Sequence, residues 1–200
     1  MTSQIIMTPD VGGWGGREGA DGGPSQSFNP ILVHSHAEAP PVSLEEDIGS
    51  LLAARGETLV VAESLTGGLV GSRITDVSGS SRYFLESIVA YADASKVKYL
   101  GVRKETLAAK GAVSEEVARE MSEGARVRSG ATWAVATTGI AGPLGATAAK
   151  PLGLVFVAVT GPARTRVVRD QFKGDRLAVK AASAEAALRL LHEEILASAG

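Results

Sequence analysis

The chain has 200 residues, 44% of them hydrophobic and 21% charged, which suits one packed domain and leaves little room for two. Its 20 Lys and Arg against 22 Asp and Glu give a formal charge of -2, so there is no global basic field to draw nucleic acid or an anionic membrane, although a local patch stays open. The absence of cysteine excludes disulfides, thiolate metal sites and cysteine nucleophiles, and fits a reducing cytoplasm.

The first stretch, MTSQIIMTPDVGGWGGREG, has neither the basic start nor the continuous apolar core of a signal peptide, and no apolar run nears the roughly 18 residues of a membrane span. A cytoplasmic protein without membrane contact is expected. Residues 1–42 are rich in Gly, Pro, Ser and Asp and carry neither the helical nor the strand period, so they are expected to form a disordered tail. Trp14 and Phe28 are the residues there that could dock a partner. His34 and His36 could chelate a metal, but no further ligand lies near them in sequence, and no metal is expected.

Order is expected from Ser43. SLEE has the form of a capping box, followed by Ile48, Leu51 and Leu52 on one helical face, with a stop at Gly56. TLVVAES (58–64) is apolar without alternation and reads as a strand buried on both faces, and GLVGSRITDV reads as the next helix. RYFLESIVAYA (82–92) mixes aromatic and branched residues as a second strand does. In DASKVKYLGV (93–102), Asp93 is expected to cap a helix whose Val97, Leu100 and Val102 pack inward. SEEVAREMSEGARVRSG has Ser114 as cap, two acids in its first turn, Arg126 and Arg128 near its end and a stop at Gly130.

TWAVATTG (132–139) and LGLVFVAVTG (152–161) read as central strands, and RTRVVRDQF (164–172) alternates as a half-exposed one. The chain closes on a long amphipathic helix, whose alanine-rich face is a surface on which subunits could meet. Strands separated by helices predict a three-layer α/β/α sandwich on a mixed or mostly parallel sheet, with the ligand at the carboxyl ends of the strands.

Two loops fall at such ends. The first, VAESLTGG (61–68), sets Glu63, Ser64, Thr66, Gly67 and Gly68 directly after the first strand. Glu63 should point to the side opposite Ser64, where it would support the loop through backbone amides or pair with a cation. The second, TTGIAGPLGATAAKPLG (137–153), has glycines that let amides approach an anion, with Thr137, Thr138, Thr147 and Lys150 as further donors to a phosphate. Neither loop has the GxxxxGK[ST] or GxGxxG pattern, which disfavours the familiar modes of binding a triphosphate or a dinucleotide.

AESLTGG, YFLESIVAYADASKVKYLGV, GAVSEEVAREMSEGAR, TTGIAGP, KPLGLVFVAV and FKGDR resemble, in order and spacing, the CinA carboxyl-terminal domain family of nicotinamide-nucleotide amidohydrolases, over about residues 43–198. Larger members carry an additional molybdopterin-binding-like domain, and this chain resembles the stand-alone form. The resemblance implies hydrolysis of the carboxamide of nicotinamide mononucleotide to nicotinate mononucleotide and ammonia. It also implies a small-molecule nucleotide as the partner, a homo-oligomer, and no metal or organic cofactor. The serine, tyrosine and lysine proposed as the family's catalytic group fall on Ser64, Tyr91 and Lys96.

That set makes chemical sense. Amide hydrolysis needs a nucleophile, a base, an acid for the departing ammonia and donors for the oxyanion. Outside the tail the sole histidine is His192, in the terminal helix far from the loops, which argues against a Ser-His-Asp triad. Ser64 is assigned as nucleophile, Lys96 as base and Tyr91 as the group that relays or orients the proton. Read without the resemblance, Ser64 could equally cap a helix, Tyr91 be a strand aromatic and Lys96 a solvated charge. Gly67 and Gly68, with Thr66, are expected to supply the oxyanion or substrate-facing amides, while Thr138, Gly139 and Gly142 would hold ribose or phosphate. Arg176 of GDR would reach a phosphate, or else pair with Asp175 while that residue caps the last helix.

Three positions depart from the family pattern. Leu65 stands where many relatives have cysteine, Ala146 where they have the second glycine of GPxGG, and Lys180 where an arginine often follows GDR. The first should alter packing, the second restricts the loop backbone, and the third weakens any bidentate contact. Two rivals remain: a non-catalytic nucleotide-binding or competence-linked interaction protein, and an amidase with another substrate.

Overall fold

The computed structural model describes residues 42–198. The expected disordered tail, with Trp14, Phe28, His34 and His36, lies outside them. In chain order the elements are α1 (Leu44–Arg55), β1 (Leu59–Glu63), α2 (Leu69–Thr75), β2 (Phe84–Val89), α3 (Asp93–Leu100) and α4 (Lys104–Lys110). They continue with α5 (Glu115–Ser129), β3 (Trp133–Gly139), β4 (Leu154–Thr160), β5 (Thr165–Gln171) and α6 (Arg176–Ala197).

The five strands form one sheet in the order β2-β1-β3-β4-β5. β2, β1 and β3 run parallel, whereas β4 is antiparallel to both β3 and β5. The mixture follows from the connections. Parallel neighbours need a crossover, which helices supply between β1 and β2 and between β2 and β3, while no helix lies in the 140–153 loop or between β4 and β5.

β1 is buried at every position because helices cover both faces. Leu59 and Val61 pack with Trp133 and Val135 against Ile48, Ile74 and Leu188, from α1, α2 and α6. Val60 and Ala62 pack with Ala134 and Ala136 against Leu100, Val117 and Met121, from α3 and α5. The three-layer sandwich is therefore built around two apolar layers, one on each side of the sheet. No helix among the described residues is long and apolar enough to cross a membrane.

Most boundaries match the sequence reading. Ser43 and Glu46 form a reciprocal capping box, and Ser114 caps α5 through the Val117 amide. Four details differ. Asp93 does not cap α3: Ala92 holds that position without a side-chain bond, and Asp93 is the first helical residue. Lys96, rather than Val97, is the buried residue of that turn, with Leu100 and Val102 buried as expected. α4 falls in a stretch where the sequence predicts no element, because seven residues carry too few turns for a helical period to show. Finally, the alanine-rich face of α6 is not a free subunit surface, since Ala184 and Ala187 are fully buried in this chain's own core.

Candidate active site

β1, β2 and β3 end side by side at one edge of the sheet, where the α3 and α6 amino termini also arrive. A cleft of about 290 Å³ opens there. Ser64 and Leu65 line it from the turn after β1, Tyr91, Asp93 and Lys96 from the start of α3, and Thr138, Gly139 and Gly142 from the end of β3 and its loop, with Arg176 from α6.

The odd ending of β1 has a structural reason. Glu63 is fully buried and shares the face on which α2 packs. One carboxylate oxygen accepts from the amides of Gly68 (2.9 Å) and Val70 (3.1 Å), the other from the Gly71 amide (2.9 Å) and the Ser87 hydroxyl (3.0 Å). Gly68, at the N-cap position of α2, has no side chain to cap with, so Glu63 satisfies the orphan donors from outside the helix and sits at its positive dipole end. Of the two roles expected for Glu63, support through backbone amides is the one found. Gly71 lets this happen: a Cβ there would fall 2.8 Å from Ser87 Cβ.

Ser64 is anchored by its amide, which donates to the Thr137 carbonyl at 3.0 Å, while its Oγ makes no hydrogen bond among the described residues and faces the cleft. Lys96 is 1% exposed. Its Nζ donates to the Tyr91 carbonyl at 3.1 Å and lies 3.6 Å from Asp93 Oδ1, a carboxylate whose side chain is 61% exposed. Burial pushes the Lys96 pKa below the ordinary lysine range, and the Asp93 carboxylate only partly opposes this. Tyr91 is exposed, and its hydroxyl accepts from Arg176 Nη2 at 2.8 Å.

Ser64, Tyr91 and Lys96 thus share one cleft with Thr138, Gly139, Gly142 and Arg176. Thr66, Gly67 and Gly68 do not line it. Thr66 Oγ1 is buried against Thr137 Oγ1 at 2.7 Å. The Gly67 amide donates to the Ser64 carbonyl at 3.2 Å and the Gly68 amide to Glu63, so neither is free for an oxyanion. The amides of Leu65 and Thr66, directly after the serine, make no hydrogen bond among the described residues and are the unspent donors of the turn. That choice needs the hydrogen-bond partners of each amide, which residue types alone do not report.

Other expectations change as well. Thr138 Oγ1 donates to the Ala112 carbonyl at 2.7 Å, and Lys150 Nζ donates to the carbonyl of Lys110 at the end of α4, so both are occupied within the chain. Asp175 caps α6 through the Ala178 amide at 2.9 Å, but Arg176 does not pair with it, bridging the Tyr91 hydroxyl and the Gly142 carbonyl instead. Lys180, one turn along α6, lies over the nucleophile turn: a Cβ placed on Gly67 would be 3.6 Å from its Nζ. Ala146 fits its loop, because among the described residues only glycines, Gly145 included, take positive φ. Leu65 is buried in the core, and His192 pairs with Asp47 at 2.7 Å, outside the cleft. Among the described residues no cluster of His, Asp and Glu could hold a metal ion.

Fold and site together define a mixed α/β/α domain with a serine and a buried lysine at the carboxyl edge of its parallel strands. Residues 42–195 match the CinA C-terminal domain family, to which the chain belongs. It is 48% identical over 155 residues to a CinA-like protein of Geotalea daltonii, covering 78% of this chain and 38% of that protein. It is 51% identical over 155 residues to a CinA-like protein of Chlorobium phaeobacteroides, covering 75% and 37%. The chain therefore spans well under half the length of these curated relatives. Among solved structures it is similar to the competence damage-inducible protein A of Klebsiella pneumoniae, with a TM-score of 0.74 and 35% identity over 76% of this chain and 95% of that one. The competence/damage inducible protein of Agrobacterium tumefaciens gives a TM-score of 0.73 at 37% identity, over 74% and 91%.

Proposed function

We propose that this domain is an amidohydrolase that converts the carboxamide of nicotinamide mononucleotide to a carboxylate, releasing nicotinate mononucleotide and ammonia. The observation that carries the reading is Lys96: an amine buried in the same cleft as Ser64 and held below the ordinary lysine pKa range is suited to act as a base.

In this reading neutral Lys96 takes the Ser64 proton as Oγ adds to the amide carbon. The oxyanion is met by the Leu65 amide, which occupies the position after the nucleophile that serves this role in other serine hydrolases. Tyr91 relays the proton to the departing nitrogen, and water then releases the acyl group with Lys96 again as base. Lys180, over the nucleophile turn, supplies positive potential for a phosphate-bearing substrate. The domain is further proposed to work as a homo-oligomer without metal or organic cofactor.

The test is ammonia release from a panel of nicotinamide mononucleotide, nicotinamide riboside, free nicotinamide and glutamine. Turnover that is fastest on the mononucleotide, slower on the riboside and negligible on glutamine supports the reading, and preference for a different amide replaces its substrate. Calorimetric binding of the mononucleotide without any turnover makes the domain a binding module.

A further inference from the structure

Tyr91 has an unusual setting for a residue asked to handle a proton. It follows the edge strand β2, and its side chain is not held by packing, since the residue is 58% exposed. Among the described residues its hydroxyl has one hydrogen-bond partner, Arg176 Nη2 at 2.8 Å. Nη1 of the same guanidinium donates to the Gly142 carbonyl at 2.9 Å. Two bonds from one planar fork fix its plane, and the fork springs from the first residue of α6, whose start is pinned by the Asp175 cap and by buried Val179 one turn on.

We infer that Arg176 is a positioning residue that presents the Tyr91 hydroxyl to the cleft as a proton donor, by tying the β2–α3 turn to the loop after β3. This rests on the amidase reading above and gives its tyrosine a direction. A guanidinium has donors only, so in this pair the phenol oxygen accepts and its own hydrogen is left for another partner. When the tetrahedral intermediate collapses, the C–N bond breaks with its electron pair on nitrogen, and nitrogen takes the Tyr91 proton and leaves as ammonia. The phenolate, beside the Arg176 charge, regains a proton from the Lys96 ammonium, directly or through water; that proton is the one Lys96 took from Ser64. The ledger closes with neutral Lys96, neutral Tyr91 and an acylated serine.

The test is steady-state kinetics of Arg176→Ala and Arg176→Lys, alone and combined with Tyr91→Phe, on nicotinamide mononucleotide and on the riboside that lacks its phosphate. Arg176→Ala should lower kcat by about 100-fold with KM within about threefold, equally on both amides, and the loss should shrink to within about threefold when Tyr91 is already Phe. A raised KM with kcat retained, a loss that persists beside Tyr91→Phe, or one that vanishes on the riboside would make Arg176 a phosphate ligand and overturn the inference. If the unmodified protein turns over neither amide, the amidase reading fails on its own. The positioning claim is then decided by NMR on ring-labelled tyrosine, where the signal lost in Tyr91→Phe must move in Arg176→Lys. An unmoved signal overturns it.

Discussion

Lys96 donates from Nζ to the carbonyl of Tyr91 at 3.1 Å, and this bond holds a 1%-exposed amine at the wall of the cleft. The carboxylate nearest to it, Asp93 at 3.6 Å, is largely in water, where an ion pair is worth little. Burial therefore wins over the charge partner, and the lysine is pushed toward its neutral form.

The first consequence is a pH profile. A base must be neutral to act, so kcat/KM should rise with pH as Lys96 loses its proton, with a midpoint below the ordinary lysine value of about 10.4. Lys96→Arg should be nearly inactive across the range, because arginine keeps its proton. An ascending limb at or above the ordinary value, or a working Lys96→Arg variant, would remove Lys96 from the base role.

Stability carries the same information with a definite sign. The Lys96 pKa is lower folded than unfolded, so between the two values the unfolded chain binds more protons and stability rises with pH. The penalty of the buried ammonium is present in full below the folded pKa and disappears toward the unfolded one. Lys96→Met keeps the apolar stem and removes the charge. Thermal melts should show it at least as stable as the unmodified protein, with the advantage shrinking as pH approaches the ordinary lysine range. A lower Tm at every pH would mean that the ammonium stabilises the fold.

Glu63 should matter for the fold as much as for the site. Glu63→Ala leaves three backbone amides and the Ser87 hydroxyl without their acceptor, a loss of about 2–4 kcal/mol by denaturant unfolding, whereas Ser87→Ala should cost about 1 kcal/mol. Equal, small effects from both would show that water replaces the carboxylate.

Much of this was legible in the residues. Strand positions and the caps at Ser43 and Ser114 follow from local pattern, whereas the set Ser64, Tyr91 and Lys96 follows from the family resemblance, and the structure brings those three residues to one cleft. What sequence does not carry is partner choice. Gly67 and Gly68 look like free amides until Ser64 and Glu63 are seen to accept from them, and Arg176 looks like a phosphate ligand until its fork meets Tyr91 and Gly142. These contacts join residues far apart in the chain, and residue types in a short window cannot choose between them.

Gly124 illustrates the same limit. In sequence it is a helix-weakening glycine inside α5, yet a Cβ there would fall 1.6 Å from the Leu100 carbonyl oxygen. Only glycine lets the end of α3, the helix that bears Lys96, lie this close to α5. Gly124→Ala should destabilise by about 3 kcal/mol or more and displace α3, so residual activity should fall further than stability alone accounts for. Unchanged unfolding would show that α3 is free to shift.

The central claim is tested most directly by ammonia release from nicotinamide mononucleotide, comparing the unmodified protein with Ser64→Ala. Ser64 Oγ makes no hydrogen bond among the described residues, so the variant should melt close to the unmodified protein while losing at least about 1,000-fold in kcat/KM. Release by the unmodified protein alone is the predicted result. Equal release by both would remove Ser64 from the chemistry, and release by neither would contradict the amidase itself.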